Sequence, residues 1–220
     1  MPTHVFIINY QRLTLPRRMA DYLADCHDIK PIIVDNHSDY PPLLEYYETC
    51  SHEVLRMNRN YGCSVVHNKQ WGVLDHYNQT GHFVITDPDL EIDHIPKDWL
   101  HELETGLAAD QPRASTCGFG LRIDDLPPNV NHKQGMEWTR PIMNGRFYRS
   151  AIDTTFALWR AKKRDGFAAV RTNHPYLARH APWYYQTVED LPPDELYYLK
   201  SITPGVWNNF SGELKEKLKL

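Results

Sequence analysis

The chain has 220 residues, of which 41% are hydrophobic and 24% are charged, and its formal net charge is −4. That length permits a sizeable core in one large domain or two small ones, and the composition is ordinary for a globular protein. The acidic balance argues against a broad nucleic-acid surface, no apolar run approaches the roughly 18 residues of a membrane span, and the N-terminus lacks a signal-peptide pattern. We therefore expect a cytoplasmic protein with no nucleic-acid partner and no transmembrane segment, whose scattered cysteines are reduced thiols.

The first half of the chain alternates short apolar runs with amphipathic stretches. Buried strands are predicted at residues 4–10, 31–36, 53–58 and 82–86. Helices are predicted at residues 14–26, with Thr14 as a cap, and at 38–50, 64–77 and 96–110. Strands of about five residues that alternate with helices indicate βαβ units and hence a parallel sheet.

Polar residues follow each of these four strands. They are Asn9, Tyr10 and Arg12 after the first, Asp35 after the second, Asn60 and Gly62 after the third, and Asp87 and Asp89 after the fourth. Parallel strands bring their carboxyl ends to one edge of the sheet, where ligands bind. The loops contain no G-x-G-x-x-G, G-x-x-x-x-G-K-[ST] or G-x-S-x-G pattern, which disfavours a dinucleotide-binding Rossmann domain, a P-loop enzyme and an α/β-hydrolase.

The fourth strand ends on two carboxylates, Asp87 and Asp89, with one residue between them. Paired acids repel each other and are costly to remove from water unless a positive charge lies between them. The two aspartates therefore either hold a cation or form a strand-end turn in contact with solvent.

Four segments carry a resemblance to a known class of enzymes. In chain order they are "FIINYQR", "IIVDNHSD", "NRNYGCSVVHN" and "VITDPDLEI". In their order these segments resemble those of the GT-A class of nucleotide-sugar glycosyltransferases, in particular family-2-like enzymes, over roughly residues 4–110. The resemblance implies an α/β fold of the Rossmann-like GT-A type, with a mixed, mainly parallel central sheet flanked by helices. It also implies a single domain, residues 1–220, with a nucleotide-binding half, 1–110, and an acceptor-binding half, 111–220.

The resemblance assigns roles to the matching positions. The nucleotide-binding residues would be Asn9, Tyr10, Arg12, Asp35, Asn60, Gly62, Asn68 and Asp87. Asp35 would bind the base or ribose, Asp87 the ribose or the hydrated metal, and Asp89 a divalent cation directly. That cation would be Mn²⁺ or Mg²⁺, which neutralises the charge that develops on a departing nucleoside diphosphate.

The second half of the chain is expected to contain the acceptor site. Strands are predicted at residues 115–127 and 151–161, and the second forms a hairpin with 167–172 through "KKRDG". An inverting transferase needs a carboxylate to take the acceptor's proton, and Asp153 is the first candidate, followed by Asp124 and Asp125. Asp153 has an alternative role as a strand cap or as a partner of Arg149.

A second informative segment is "RHAPWY", which includes His180. It resembles the segment in which GT-A enzymes carry a histidine that completes the metal shell, and imidazole is a good ligand for Mn²⁺. His180 would therefore be the third metal ligand, with Asp87 and Asp89. Arg179 would be a charge partner for the diphosphate.

The leading hypothesis is a metal-dependent glycosyltransferase that uses a nucleotide-diphosphate sugar, with UDP-sugar as the expected donor. Its acceptor would be a hydroxyl of a glycan, lipid carrier or protein. A sugar-nucleotide pyrophosphorylase is the second enzyme hypothesis, although the first loop lacks the glycine-rich basic segment that a triphosphate requires. The third is a non-catalytic module of the same fold that recognises a nucleotide or a glycan.

Overall fold

The structure is a computed structural model that describes residues 2–111, 113–128, 130, 141–152, 155–160 and 169–202. Its strands are β1 (Thr3–Asn9), β2 (Ile29–Asp35), β3 (Glu53–Arg56), β4 (Phe83–Thr86), β5 (Leu90–Glu91), β6 (Thr116–Gly118), β7 (Gly120–Leu121), β8 (Pro141–Ile142), β9 (Phe147–Arg149), β10 (Ala157–Trp159), β11 (Ala169–Thr172) and β12 (Leu177–His180). Its α-helices are α1 (Thr14–Ala24), α2 (Pro41–Thr49), α3 (Val73–His76), α4 (Trp99–Ala109) and α5 (Pro193–Ser201).

A mixed sheet runs through both halves of the chain. Within the described ranges it has nine strands, in the order β3-β2-β1-β4-β10-β6-β11-β9-β8. The first four strands are parallel, and β10 then pairs antiparallel with both β4 and β6. A smaller sheet, β5-β12-β7, lies beside it. The expected α/β architecture is therefore present.

Alternate residues of the central strands supply two separate cores, because successive strand side chains point to opposite faces of a sheet. Val5 and Ile7 of β1 pack in one cluster with residues of α1 and α4, whereas Phe6 and Ile8 pack in another that includes Val73 of α3. The expected burial of Trp99, Leu103 and Leu107 on α4 is confirmed. Helices thus cover both faces and leave the carboxyl edge of the parallel strands open.

The predicted continuous helix at residues 64–77 is wrong. The segment contains a short 3₁₀ helix, Lys69–Trp71, and then the four-residue α3. Between them Gly72 has a φ of 67°, in the left-handed region that ends a helix. The Asn68 side chain accepts a hydrogen bond from the Gln70 amide at 3.0 Å, which starts a new turn instead of continuing the old one.

The predicted hairpin between residues 151–161 and 167–172 is also wrong. Strand β6 lies between β10 and β11, so these two strands are not neighbours. The predicted strand at 115–127 divides into β6 in the large sheet and β7 in the small one. Local sequence patterns identify strands but not the distant strands with which they pair.

Two further expectations concern helices and thiols. Among the helices of the described ranges, none combines the length and the apolar character that a bilayer crossing requires. All four cysteines, Cys26, Cys50, Cys63 and Cys117, are free thiols, as their scattered positions predict.

Candidate functional site

A cleft of about 440 Å³ opens at the carboxyl ends of β1, β2 and β4. Six of the predicted nucleotide-binding residues line it, namely Asn9, Tyr10, Arg12, Asn60, Gly62 and Asp87. They converge because β1 lies between β2 and β4 in parallel register, with Asn9 opposite Asp35. The cleft thus lies where parallel sheets bind ligands.

The opposite wall of the cleft is α5, a helix to which no sequence pattern gave a role in the site. Tyr198, Ser201 and Ile202 line the cleft from this helix and the residue after it. Pro193 at the helix start and acidic residues in the first turn are recognisable start signals in the sequence. The docking position of α5 has no comparable local signal.

Helix α5 is anchored to the first turn of α1 by Asp194. Its carboxylate accepts hydrogen bonds from the backbone amides of Leu13 and Thr14, each at 2.7 Å, and from the Thr14 hydroxyl at 2.8 Å. Thr14 was expected to cap α1, but Thr14 is the first residue of that helix and the free amides are satisfied by Asp194 instead. A residue 181 positions away therefore supplies the cap.

The two acids of the D-x-D segment have different environments. Asp87 is half-buried and lines the cleft. Asp89 is buried, and its carboxylate lies between Arg12, whose Nη2 is 3.6 Å from Oδ2, and His180, whose Nε2 is 3.6 Å from Oδ1. Asp89 is therefore not a solvated strand-end residue.

His180 reaches Asp89 because β12 pairs antiparallel with β5, which places His180 opposite Leu90. The Ala181 amide donates to the Asp89 carbonyl at 3.0 Å, and the Trp183 ring packs 4.8 Å from the imidazole. The pairing of the two strands brings together the D-x-D segment and "RHAPWY", which are far apart in the sequence.

Asp89 and His180 have the donor chemistry of a cation site. Asp89 Oδ1 is buried and has no hydrogen-bond partner among the described residues. Ligand atoms lie about 2.1 Å from Mg²⁺, so two donors 3.6 Å apart can both contact one ion. Within the described ranges, no three His, Cys, Asp or Glu side chains cluster to enclose a metal. The donors fit an ion that also takes substrate phosphates, as Mg²⁺ commonly does.

Arg12 lines the cleft and lies next to Asp89. Its Nε donates to Glu195 Oε1 at 2.6 Å, and its guanidinium lies 3.6 Å from the centroid of the Tyr198 ring. Burial alone would lower the pKa of Arg12, but the charges of Glu195 and Asp89 outweigh burial and raise it. Arg12 is therefore a permanent positive charge between two carboxylates.

Asp35 lies beneath the cleft instead of lining it. The residue has 0% exposure, and its carboxylate accepts from the Ser38 hydroxyl at 2.5 Å, the Ser38 amide at 3.1 Å, the Tyr47 hydroxyl at 3.2 Å and Arg56 Nε at 3.3 Å. With both oxygens engaged, the expected contact of Asp35 with a base or ribose has no support in this geometry. Asn36, the next residue, lines the cleft.

Asn36 holds the loop that follows β3 against the end of β2. Its Oδ1 accepts from the Tyr61 amide at 3.2 Å, and its Nδ2 donates to the Gly62 carbonyl at 3.2 Å. Gly62 has a φ of 73°, a conformation that favours glycine. Asn60 accepts from the Gly62 amide, whereas Asn68 caps the 3₁₀ helix and is not among the residues that line the cleft.

Asp125, one of the candidate bases, is already paired with other side chains. Asp125 accepts from Arg179 at 2.5 Å and from the Tyr184 hydroxyl at 2.7 Å. Burial alone would raise the pKa of Asp125, but these hydrogen bonds and the charges of Arg179 and Arg122 hold it below its ordinary value. A less basic carboxylate is poorly suited to general-base catalysis. Arg179, the partner of Asp125, is not among the residues that line the cleft.

Asp153 lies outside the described residues, so its role as a base stays a prediction. Its alternative partner, Arg149, forms two hydrogen bonds with Asp110, at 2.9 and 2.7 Å. Arg149 therefore has another acid as its partner.

By sequence, the chain matches no protein-family profile and no curated protein. Among solved structures it is similar to residues 1–349 of S. aureus TarS, with 12% identity, 83% of this chain and 61% of that chain covered, and a TM-score of 0.50. TarS 1–349 in complex with UDP matches at 12% identity over 73% of this chain and 47% of that one, with a TM-score of 0.40. A 4-diphosphocytidyl-2C-methyl-D-erythritol synthase matches at 10% identity, with 91% of this chain and 97% of that chain covered and a TM-score of 0.47.

The chain has a GT-A-like α/β fold. This assignment agrees with the strand order and the cleft position, and the fold expectation is confirmed. The chain spans about three fifths of TarS 1–349. At such low identity the likeness concerns the fold alone.

Proposed function

We propose that this chain is a metal-dependent glycosyltransferase that moves a sugar from a nucleoside-diphosphate donor, with UDP-sugar as the first candidate, to a hydroxyl acceptor. One observation carries the proposal. Asp89 and His180, which resemble the metal-binding positions of GT-A enzymes, meet at 3.6 Å beside a cleft that contains Asp87. No local pattern brings these segments together, so their meeting supports a shared site.

Donor binding would use the residues of the cleft. The loop at Asn60 and Gly62 would lie against the nucleotide, since Asn36 fixes it there. Arg12 would contact the diphosphate through the face that lines the cleft. Asp89 and His180 would hold Mn²⁺ or Mg²⁺, which when bound neutralises negative charge on the leaving group.

Acceptor activation would require a base in the second half of the chain. Asp153 is the proposed residue, because Asp125 is committed to Arg179 and Tyr184. The base would take the proton of the acceptor hydroxyl as the hydroxyl attacks the anomeric carbon and the nucleoside diphosphate departs. The acceptor is proposed only by class, as a glycan, a lipid carrier or a protein.

The test is release of nucleoside diphosphate from a panel of nucleotide sugars, with and without Mn²⁺ and with a panel of acceptors. We expect slow release of UDP from at least one UDP-sugar, and faster release with a suitable acceptor. Asp89→Asn should reduce release by at least about tenfold, since even outer-shell partners of a metal are worth 10–100-fold. The matched control is Asp93→Asn, which removes an acid that pairs with exposed Arg18 and should leave release unchanged.

Three other outcomes would contradict the proposal. UDP binding without turnover on any donor and acceptor would indicate a non-catalytic module. Pyrophosphate release from UTP or CTP with a sugar phosphate would indicate a pyrophosphorylase. Equal activity of the parent and Asp89→Asn would remove the metal site from the mechanism.

A further inference from the structure

Arg12 has an unusual position for a basic residue in a cation site. Its side chain is 7% exposed, and it is flanked by Glu195 at 2.6 Å and by Asp89 at 3.6 Å. The ring of Tyr198 covers its guanidinium. An arginine stays protonated in such surroundings, so the carboxylate proposed to bind a metal already has a fixed positive neighbour.

The two oxygens of Asp89 face different partners. Oδ2 faces Arg12, whereas Oδ1 faces His180 and has no hydrogen bond among the described residues. A divalent ion at Oδ1 would therefore be separated from the guanidinium only by one carboxylate. Two cations at that separation repel each other, and burial of the site strengthens the repulsion because water screens it poorly.

A diphosphate changes this balance. Arg12 lines the cleft together with Asp87 and Pro88, so an anion in the cleft can approach the guanidinium and the ion together. Its negative charge then offsets both cations, and each favours the anion. Arg12 thus weakens binding of the ion on its own, and the diphosphate that Arg12 attracts supplies the negative charge that compensates for this loss.

We propose that Arg12 is an internal counter-ion of Asp89 that makes binding of the divalent cation conditional on binding of a diphosphate. This inference rests on the proposed function, because it assumes a diphosphate ligand. In thermodynamic terms the ion and the diphosphate are positively coupled, and by linkage each strengthens the other by the same factor. Arg12 lowers the affinity for the ion alone, so that this coupling decides whether the ion binds. Glu195 holds the guanidinium in place through Nε and leaves Nη2 toward Asp89.

The test measures Mn²⁺ affinity by electron paramagnetic resonance, with and without saturating UDP, on the parent and on Arg12→Gln. In the parent, UDP should tighten Mn²⁺ binding by at least about fivefold, the lower end of typical coupling. In Arg12→Gln, Mn²⁺ alone should bind more tightly than in the parent, while UDP in the presence of Mn²⁺ should bind more weakly. The opposite signs distinguish a counter-ion from structural support, because a damaged site weakens both ligands.

A second variant protects the test against misfolding. Arg12→Gln alone leaves Glu195 buried without its charge partner, which is strongly destabilising. Arg12→Gln with Glu195→Gln replaces both charges by amides and leaves no buried charge unpaired. It should still weaken UDP binding in the presence of Mn²⁺, and it should tighten Mn²⁺ alone less than the single variant does, because the attraction of Glu195 for the ion is lost as well. Asp194→Asn weakens the anchoring of α5 without removing a charge from the Arg12 pair, and it should not tighten binding of Mn²⁺ alone.

The outcomes separate this inference from the proposed function. If the single and double variants both have lower affinity for Mn²⁺ alone and also lower affinity for UDP, the role of Arg12 is structural and the inference is overturned. UDP release from donors would still support the transferase. Equal Mn²⁺ affinity of the parent with and without UDP overturns it as well. A parent that binds no UDP and releases none overturns both proposals.

Discussion

At the scale of single residues, the cleft rests on a buried polar layer. Asn9 donates through Nδ2 to the Arg12 carbonyl at 2.7 Å and to the Tyr47 hydroxyl at 3.0 Å, and Tyr47 donates in turn to Asp35. Burial raises the pKa of Tyr47, and the charge of Asp35 raises it further, so the tyrosine stays a neutral donor. Asp35 and Tyr47 therefore support the cleft from beneath, whereas Asn9 also lines it.

Asp35 offers a prediction at this scale. Asp35→Ala leaves four donor groups without their acceptor, and unsatisfied buried groups cost about 1–3 kcal/mol. We expect the free energy of unfolding, measured by urea denaturation, to fall by that order. The UDP affinity of the folded variant should change by less than about threefold, since Asp35 is fully buried and does not line the cleft. A tenfold loss would correspond to about 1.4 kcal/mol.

The control for Asp35 is Asn36→Ala, which alters a residue that lines the cleft and braces Gly62. Asn36→Ala should weaken UDP binding more than Asp35→Ala does. A folded Asp35→Ala protein that loses tenfold or more in affinity would restore the direct nucleoside contact expected from the sequence.

His180 gives the second prediction. If His180 ligates the cation, His180→Ala should reduce Mn²⁺ affinity in the UDP-saturated protein by at least about tenfold, because loss of even an outer-shell partner of a metal costs about 10–100-fold. Electron paramagnetic resonance measures free Mn²⁺ directly. The matched control is His76→Ala, at an exposed position at the end of α3. Normal Mn²⁺ binding by the His180→Ala protein would show that His180 is not a ligand.

The predictable part of the site is the part carried by local pattern. Asp87 and Asp89 follow an apolar strand, and Gly62 follows another, so parallel-strand logic locates them correctly. Glu195 contacts Arg12 across 183 positions, and nothing near either residue signals the partner. The sequence likewise gives no warning that Asp125 is committed to Arg179, because that pair depends on the path of β12.

At the scale of elements, the strands predicted best are β1, β2 and β4. They are buried on both faces, so they appear as uninterrupted apolar runs. The incorrect hairpin arose because β10 and β11 each pair with β6, a partner that no local turn signal reveals. The predicted helix at residues 64–77 is interrupted at Gly72, whose left-handed backbone ends the 3₁₀ helix although the apolar residues on either side have helical spacing.

Helix α5 carries the third prediction. Asp194 satisfies two backbone amides and one hydroxyl at the start of α1, so Asp194→Ala should destabilise the protein by about 1–2 kcal/mol, the cost of losing a helix cap. Urea unfolding provides the measurement. Glu189→Ala, at an exposed position ahead of α5, should stay within about 0.5 kcal/mol, and equal effects of the two variants would show that Asp194 does not anchor α5.

At the scale of the whole molecule, the described residues form two concave surfaces that share no lining residue. The cleft at the carboxyl edge of the sheet has the exposed Cys63 in its lining. A second groove of about 600 Å³, lined by residues of α1 and α2, contains the partly buried Cys50. Cys26 and Cys117 are buried, and burial raises the pKa of the Cys117 thiol, which makes it unreactive.

This arrangement gives the last prediction, which reports occupancy of the cleft without any assay of sugar transfer. Thiol alkylation depends on exposure and on the thiolate, so iodoacetamide should modify Cys63 first, Cys50 more slowly, and the two buried cysteines only on unfolding. UDP with Mn²⁺ should slow modification of Cys63 and leave the rate at Cys50 unchanged, because the ligand covers one concave surface and not the other. Peptide mass spectrometry over a time course measures both sites in the same sample. Protection of both cysteines together would indicate a general tightening of the protein, and an unchanged rate at Cys63 under saturating UDP would mean that the nucleotide does not occupy this cleft.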